Sequence, residues 1–131
     1  MEQLLIEQEI PYELLTKAEG FGVQKNWLSI FARKVKEKTG KYQIGEFVWE
    51  NFNDEVQPAL YDSKAIDEYR KCKAEPIYIF DEGCRHCYLC NVSALPEFAA
   101  RSGDIYIFPV SKSWTLVYSH MGDTYFLRKE T

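Results

Sequence analysis

The chain has 131 residues and a formal net charge of −4, with 46% apolar and 15% aromatic residues. This length and composition are typical of a single packed domain spanning residues 1–131, and they exclude a disordered chain. The acidic balance argues against nucleic acid or an anionic membrane surface as a partner, because both attract clustered lysine and arginine side chains.

The N-terminal sequence indicates where the protein works. It carries acidic residues where a signal peptide carries basic ones, and no stretch reaches the ~18 apolar residues that a membrane span needs. We therefore expect a cytoplasmic protein. In that compartment thiols stay reduced, so the four cysteines do not by default form a disulfide framework.

The first half of the chain is predicted to be helical. Apolar residues recur at helical spacing from Asn26 to Lys38, with Asn26 as the expected N-cap and Gly40 just after the last turn. Residues 11–17 are predicted to form a short helix or an irregular arm. A further helix is expected over residues 62–72, whereas the pattern assigns no element to the stretch between these helices.

The second half is predicted to contain strands, because short runs rich in β-branched and aromatic residues follow one another. The expected strands are 77–80, 104–108, 114–120 and 124–128. Gly122 supplies the positive φ that a tight hairpin between the last two strands requires. A short helix is expected over 93–103, between the first two strands.

This order of elements predicts an α+β fold, in which the helical N-terminal half packs on one face of a mainly antiparallel, four- to five-stranded sheet. The residues expected in the core are Trp27, Ile30, Phe31, Ile79, Ile107, Trp114, Leu116, and Tyr118 or Val117.

Three cysteines at C-x₂-C-x₂-C spacing, Cys84, Cys87 and Cys90, form the most conspicuous motif, with Cys72 upstream. Thiolates at this spacing can hold zinc, and Cys72 or a histidine would then complete the ligand set. A structural zinc site normally uses two paired hooks, however, and the sequence contains only one. No cofactor is therefore expected, with zinc as the alternative.

The same motif has a redox interpretation and a purely structural one. A Cys84/Cys87 dithiol after a strand resembles a thiol oxidoreductase centre, but no long helix follows to activate the first thiol. The interpretation we favour is a short strand or turn over 87–90 that pairs with 77–81 and buries its cysteines as small apolar side chains.

His120 is the other candidate for chemistry, at the end of a predicted strand. Ser119 and Asp123 lie beside it, but neighbouring strand residues point to opposite faces, so a catalytic set is disfavoured. We expect His120 to tie down the hairpin by hydrogen bonds. Asp81 and Glu82 are expected to be loop carboxylates that face solvent.

Residues 76–127 resemble an uncharacterised family of small bacterial cytosolic proteins, a domain of unknown function. The likeness rests on "PIYIFDEGCRHCYL", "DIYIFPVSKSWTLVYSH" and "TYF". The matching positions are Asp81, Cys87, Trp114, Thr115 and His120. The resemblance implies a small α+β protein that works with another protein, and it implies no catalytic residues.

The sequence therefore predicts a protein-binding module, either an immunity-type or a regulatory partner protein. No phosphate-binding glycine loop, metalloprotease motif or nucleophile elbow is present, so an enzyme is disfavoured. We expect a basic protein partner, because complementary charge speeds encounter with an acidic domain. A zinc protein and a thiol oxidoreductase are the alternatives.

Overall fold

The structure, a computed structural model, describes residues 2–40, 48–52, 57–82, 85–98 and 104–129. Over these residues the chain forms four α-helices, one short 3₁₀ helix and seven strands. In chain order the elements are α1 (Glu2–Glu7), β1 (Tyr12–Leu14), α2 (Lys17–Phe31), α3 (Arg33–Thr39), the 3₁₀ helix Val48–Asn51, β2 (Leu60–Tyr61), α4 (Asp62–Arg70), β3 (Ile77–Asp81), β4 (Cys87–Cys90), β5 (Ile105–Pro109), β6 (Trp114–Tyr118) and β7 (Thr124–Arg128). None of these helices is long and apolar enough to cross a membrane.

The seven strands form one sheet in the order β1-β4-β3-β5-β6-β7-β2, and all neighbouring strands are antiparallel. The α+β class and the antiparallel pairing are confirmed. The predicted number of four to five strands is wrong, because β1 and β2 add one edge strand on each side. They have only three and two residues, and such short edges expose few unpaired backbone groups.

The four predicted strands correspond to β3, β5, β6 and β7, and the α4 helix was also predicted. The hairpin between β6 and β7 is confirmed, with Gly122 in its turn at a φ of 89°. Residues 87–90, expected to form a short strand or a turn paired with 77–81, form the strand β4, which pairs with β3. The expected core residues are buried, except that Ile30 is only partly buried.

Helices cover both faces of the sheet, so the prediction of helices on one face is wrong. The first face packs against α1, α4 and the segment that leads to Phe98, whereas the second packs against α2 and Phe52. All residues of β5 and β6 are buried. A strand covered on both faces reads as a continuous apolar run, as these two strands do.

The α2 helix begins earlier than predicted and ends before α3 starts. Thr16 is its N-cap and forms a capping box with Glu19, which satisfies backbone N–H groups at the helix start. The predicted helix from Asn26 is therefore wrong in its start, because Asn26 lies inside α2. Gly40 does end α3, at a φ of 82°.

Two other helix predictions also fail. Residues 12–14 form the edge strand β1, which pairs with β4. Residues 93–98 form no helix, and residues 99–103 lie outside the described part of the chain. Both β4 and β5 are antiparallel to β3, so the connection between them must run the length of the sheet. An extended chain covers about 3.3 Å per residue, whereas a helix covers about 1.5 Å. An extended segment therefore spans this connection with fewer residues than the predicted helix would need.

Candidate functional site

Polar side chains meet at one end of the sheet, where β3 and β6 end and β5 and β7 begin. The register places Asp81 opposite Ile105, Ile105 opposite Tyr118, and Tyr118 opposite Thr124. The polar residues just outside these strand ends are therefore brought together across the sheet: Glu82, Asp104, His120 and Asp123.

A buried carboxylate, Asp104, holds the His120 ring at this end. Its Oδ1 accepts a hydrogen bond of 2.6 Å from the main-chain N of His120 and lies 3.1 Å from the ring Nδ1. The Asp104 side chain is 3% exposed and the His120 side chain 34% exposed. Because a carboxylate accepts, Nδ1 carries the hydrogen, and the ring orientation is fixed. The prediction that His120 ties down the hairpin is confirmed.

A second buried link joins the sheet to the 3₁₀ helix. The hydroxyl of Tyr106 donates a hydrogen bond to Glu82 and accepts one of 3.1 Å from the main-chain N of Trp49. Burial raises the pKa of Tyr106 far above its ordinary value, and the negative charge of Glu82 raises it further. Tyr106 therefore stays protonated and keeps donating to Glu82.

Four ring-bearing residues form an aromatic corner beside these links: Trp49, Tyr61, His120 and Tyr125. Trp49 stacks on Tyr125 at 5.9 Å, and Tyr61 meets Tyr125 edge-on at 5.0 Å. The His120 ring lies 6.1 Å from Trp49. Tyr125 is the buried floor, whereas Tyr61 is 38% exposed and the adjacent turn residue Met121 is 68% exposed.

Carboxylates surround the aromatic corner. Burial is the main cause that raises the pKa of Tyr125, and the negative charges of Asp123, Asp62 and Asp104 add to it. Asp62 has a φ of 50° and accepts a hydrogen bond of 3.1 Å from the main-chain N of Thr124. Asp tolerates this left-handed conformation better than most residues, and here it places a carboxylate against the start of β7.

The set Ser119, His120 and Asp123 is not assembled for catalysis. The Ser119 hydroxyl is buried and accepts a hydrogen bond of 3.2 Å from the main-chain N of Asp123. His120 directs its Nδ1 toward Asp104 and not toward Ser119. These contacts close the hairpin turn and leave Ser119 without access to a substrate.

The structure separates two of the candidate metal ligands. Cys87 packs in the cluster on the second face of the sheet, while Cys90 packs in the cluster on the first face. Residues three apart on a strand point to opposite sides, so these two sulfurs cannot bind one ion. Cys72 lies after α4, with its Sγ 3.5 Å from the carbonyl oxygen of Glu68.

The cysteines on β4 are packed apolar side chains. Burial raises the pKa of Cys87 to about 12 and that of Cys90 to about 11, which keeps both as thiols at neutral pH. Burial also raises the pKa of Cys72. Among the described residues no group of three or more histidine, cysteine or acidic side chains could hold a metal ion. Cys84 lies outside the described residues, so the predicted Cys84/Cys87 dithiol lies only partly within them.

Asp81 and Glu82 are not simple loop carboxylates facing solvent, as was expected. Both are partly buried, and Asp81 accepts a hydrogen bond of 3.2 Å from the main-chain N of His86. Thr115, another position of the family resemblance, accepts a bond of 2.8 Å from Trp27 Nε1 in the core. These positions therefore hold the fold together.

Comparisons with known proteins give no relative: no family model, no curated protein and no solved structure matches the chain. The sequence analysis identified His120 but missed the residues that complete the site. A detectable feature was present, since an acid that directly precedes an apolar strand, as Asp104 does, lies at the sheet end where His120 also lies.

Proposed function

We propose that the protein is a binding module for another protein, and that the aromatic corner with its surrounding carboxylates is the docking surface. The observation that carries this proposal is the grouping of Trp49, Tyr61 and Met121 at one accessible end of the sheet. Tryptophan and tyrosine contribute most often to the central contacts of protein interfaces.

The surface is held rigid before a partner arrives. Tyr106 fixes the main chain at Trp49, and Asp104 fixes both the main chain and the ring of His120. Side chains that are already ordered lose less conformational entropy on binding, so more of the contact energy appears as affinity. The buried hydrogen bonds at this end therefore support recognition as well as folding.

The carboxylates favour a basic partner. Asp62 and Asp123 flank the floor residue Tyr125, and the exposed Tyr61 ring offers a face to a lysine or arginine side chain. Opposite charge on the partner would speed encounter and fix its orientation. Within this proposal the module acts in the cytoplasm as an immunity-type or regulatory partner of a basic protein.

The experiment places a photo-crosslinking amino acid at Met121, in cells of the organism of origin, and identifies the protein captured there. The captured partner is then purified, and its affinity is measured for the wild type, Tyr61→Ala and Phe21→Ala. Phe21 is the matched control, because it is an aromatic residue with similar exposure, 44%, on α2.

We expect Tyr61→Ala to weaken binding about tenfold or more, because it removes an interface aromatic. Phe21→Ala should bind as the wild type does, and added salt should weaken all three. If Phe21→Ala loses affinity while Tyr61→Ala keeps it, the docking surface is elsewhere. If the partner is acidic, the charge argument is wrong.

A further inference from the structure

A groove runs along the sheet edge at the Arg128 end of β7, on the N-terminal side of β2, which begins at Leu60. Leu60 pairs with Phe126, so the same register would place Pro58 opposite Arg128. Proline has no N–H to donate to Arg128, which explains why the pairing ends at Leu60. Beyond it, the chain and β7 separate and leave a groove of about 430 Å³.

The floor of this groove is apolar. Ala59, Leu60, Leu127 and Pro58 line it, together with the buried Phe126, and the acidic Glu68 lines the groove as well. Its volume lies in the range of sites for small molecules, about 300–1,000 Å³. Such a floor favours a ligand with an apolar body.

A smaller cavity of about 70 Å³ adjoins the groove and shares Lys34, Gln57, Leu127 and Arg128 with it. Four cations line this cavity: Arg33, Lys34, Arg128 and Lys129. None of its described lining residues is acidic. Four positive side chains around one small space, in a chain whose net charge is −4, indicate a site for an anion. Arg33 also pairs with Glu37, at 3.2 Å, so an anion in the cavity would compete with this carboxylate.

The groove and the adjoining cationic cavity are together called the basic groove. The main chain around it is held by hydrogen bonds. The main-chain N of Lys34 donates to Gln57 Oε1 at 3.2 Å, which ties α3 to the segment before β2. The main-chain N of Lys129 donates to the carbonyl oxygen of Ser113 at 2.9 Å. Arg128 lies over the ring of Phe126, 5.3 Å from its centroid, and pairs with Glu68 at 3.2 Å.

We propose that the basic groove binds a small phosphomonoester with an apolar body. Its phosphate would occupy the cationic cavity, and its body would lie on the floor formed by Leu60 and Leu127. The cation set favours phosphate over carboxylate, because a phosphate carries nearly two charges and three terminal oxygens. The phosphate would also compete with Glu68 for Arg128. This site is separate from the aromatic corner and does not depend on it.

The test uses octyl phosphate as the probe and isothermal titration calorimetry as the measurement. Three comparison ligands are measured as well. Inorganic phosphate lacks the apolar body, octanoate replaces the phosphate by a carboxylate, and octyltrimethylammonium has an apolar body with a positive charge. We expect octyl phosphate to bind about tenfold or more tightly than each of them, because only it satisfies both parts of the site. If inorganic phosphate or octanoate binds equally well, the assignment of the ligand class is wrong.

Two variants test the location. Lys129→Glu should weaken octyl phosphate about tenfold or more, because it reverses one of the four cations. Leu60→Ser should weaken octyl phosphate while leaving inorganic phosphate unchanged. Lys73→Gln is the control, since Lys73 is exposed and lies outside the groove. Unchanged binding by Lys129→Glu, with a retained melting temperature, would overturn the proposal.

A membrane lipid could present the same head group, so the source is tested as well. Vesicles of phosphatidylcholine with phosphatidic acid are mixed with the protein and sedimented. We expect the protein to stay in the supernatant, because a groove of this volume takes a single ligand body. Sedimentation that Lys129→Glu abolishes, together with no binding of free octyl phosphate, would replace the soluble ligand by a membrane surface.

Discussion

The two ends of β7 carry opposite charge and are built in different ways. At the Thr124 end, His120 and Trp49 of the aromatic corner are fixed by hydrogen bonds that the buried residues Asp104 and Tyr106 accept. At the Arg128 end, the cations of the basic groove lie on long side chains near the surface, and Arg128 is 52% exposed. The side chains of the first surface are held in place, whereas the cationic side chains of the second can adapt, although the main chain around them is held by hydrogen bonds.

Because of this difference, substitutions at one end of β7 should change the stability of the fold, and substitutions at the other end should change ligand binding. A buried polar group costs free energy when it loses its partner, so changes at the Thr124 end should destabilise the fold. An exposed ion pair contributes little to stability, so changes at the Arg128 end should mainly affect ligands. Three substitutions test this comparison by their effect on unfolding.

The largest effect is expected from Asp104→Ala. It removes the acceptor of the His120 main-chain N–H and the contact with the His120 ring, in a buried setting. We expect the free energy of unfolding to fall by about 2–3 kcal/mol in urea titrations. The control Asp67→Ala removes an exposed acid and should leave the urea midpoint nearly unchanged. Equal effects of the two variants would contradict a structural role for Asp104.

A smaller effect is expected from Tyr106→Phe, which removes the hydroxyl between Glu82 and the main-chain N of Trp49. We expect a loss of about 1–2 kcal/mol at pH 7. The control Tyr12→Phe removes a hydroxyl on the edge strand β1, away from the central strand β5 that carries Tyr106. Its loss should be smaller.

The pH dependence of Tyr106→Phe adds a second readout. The pKa of Tyr106 is raised in the folded protein above the ordinary value of 10.0. Its contribution is therefore fully present below pH 10 and is lost as the pH rises toward the folded pKa. The difference between wild type and variant should shrink above pH 10. A difference that grows there would contradict a raised pKa for Tyr106 in the folded protein.

Much of the second half of the fold could be predicted from local sequence. The strand pattern and Gly122 specify the β6–β7 hairpin directly, since the turn needs a positive φ. The edge strand Leu60–Tyr61 could not be predicted, because two residues carry no periodicity and only their pairing with β7 defines them. The start of α2 was missed but could have been predicted, because Thr16 and Glu19 have the spacing of a capping box.

The candidate site was predictable only in part. His120 was expected to anchor the hairpin, but its acceptor Asp104 was missed, because the sequence alone does not show that the start of β5 pairs with the end of β6. The separation of Cys87 and Cys90 followed from strand alternation once a strand was assumed there. The basic groove could not be foreseen, because α2, α3 and β7 each contribute only a few of its residues.

The smallest effect on stability is expected from Arg128→Gln, at the basic end of β7. Its partner Glu68 is held mainly by Lys71, at 2.9 Å, and the two cations together lower the pKa of Glu68. A lowered folded pKa means that the contribution is present above the ordinary value of 4.5 and is lost as the pH falls through the folded value.

In Arg128→Gln, nuclear magnetic resonance titration should show the pKa of Glu68 rising part of the way toward 4.5, because Lys71 remains. The urea midpoint at pH 7 should stay within error of the wild type, since Arg128 is exposed and Glu68 is partly exposed and keeps its pair with Lys71. Octyl phosphate binding should nevertheless weaken, because a cation is lost from the cavity. Destabilisation as large as that of Asp104→Ala would make both ends of β7 structural, and the division between a rigid and an adaptable surface would not hold.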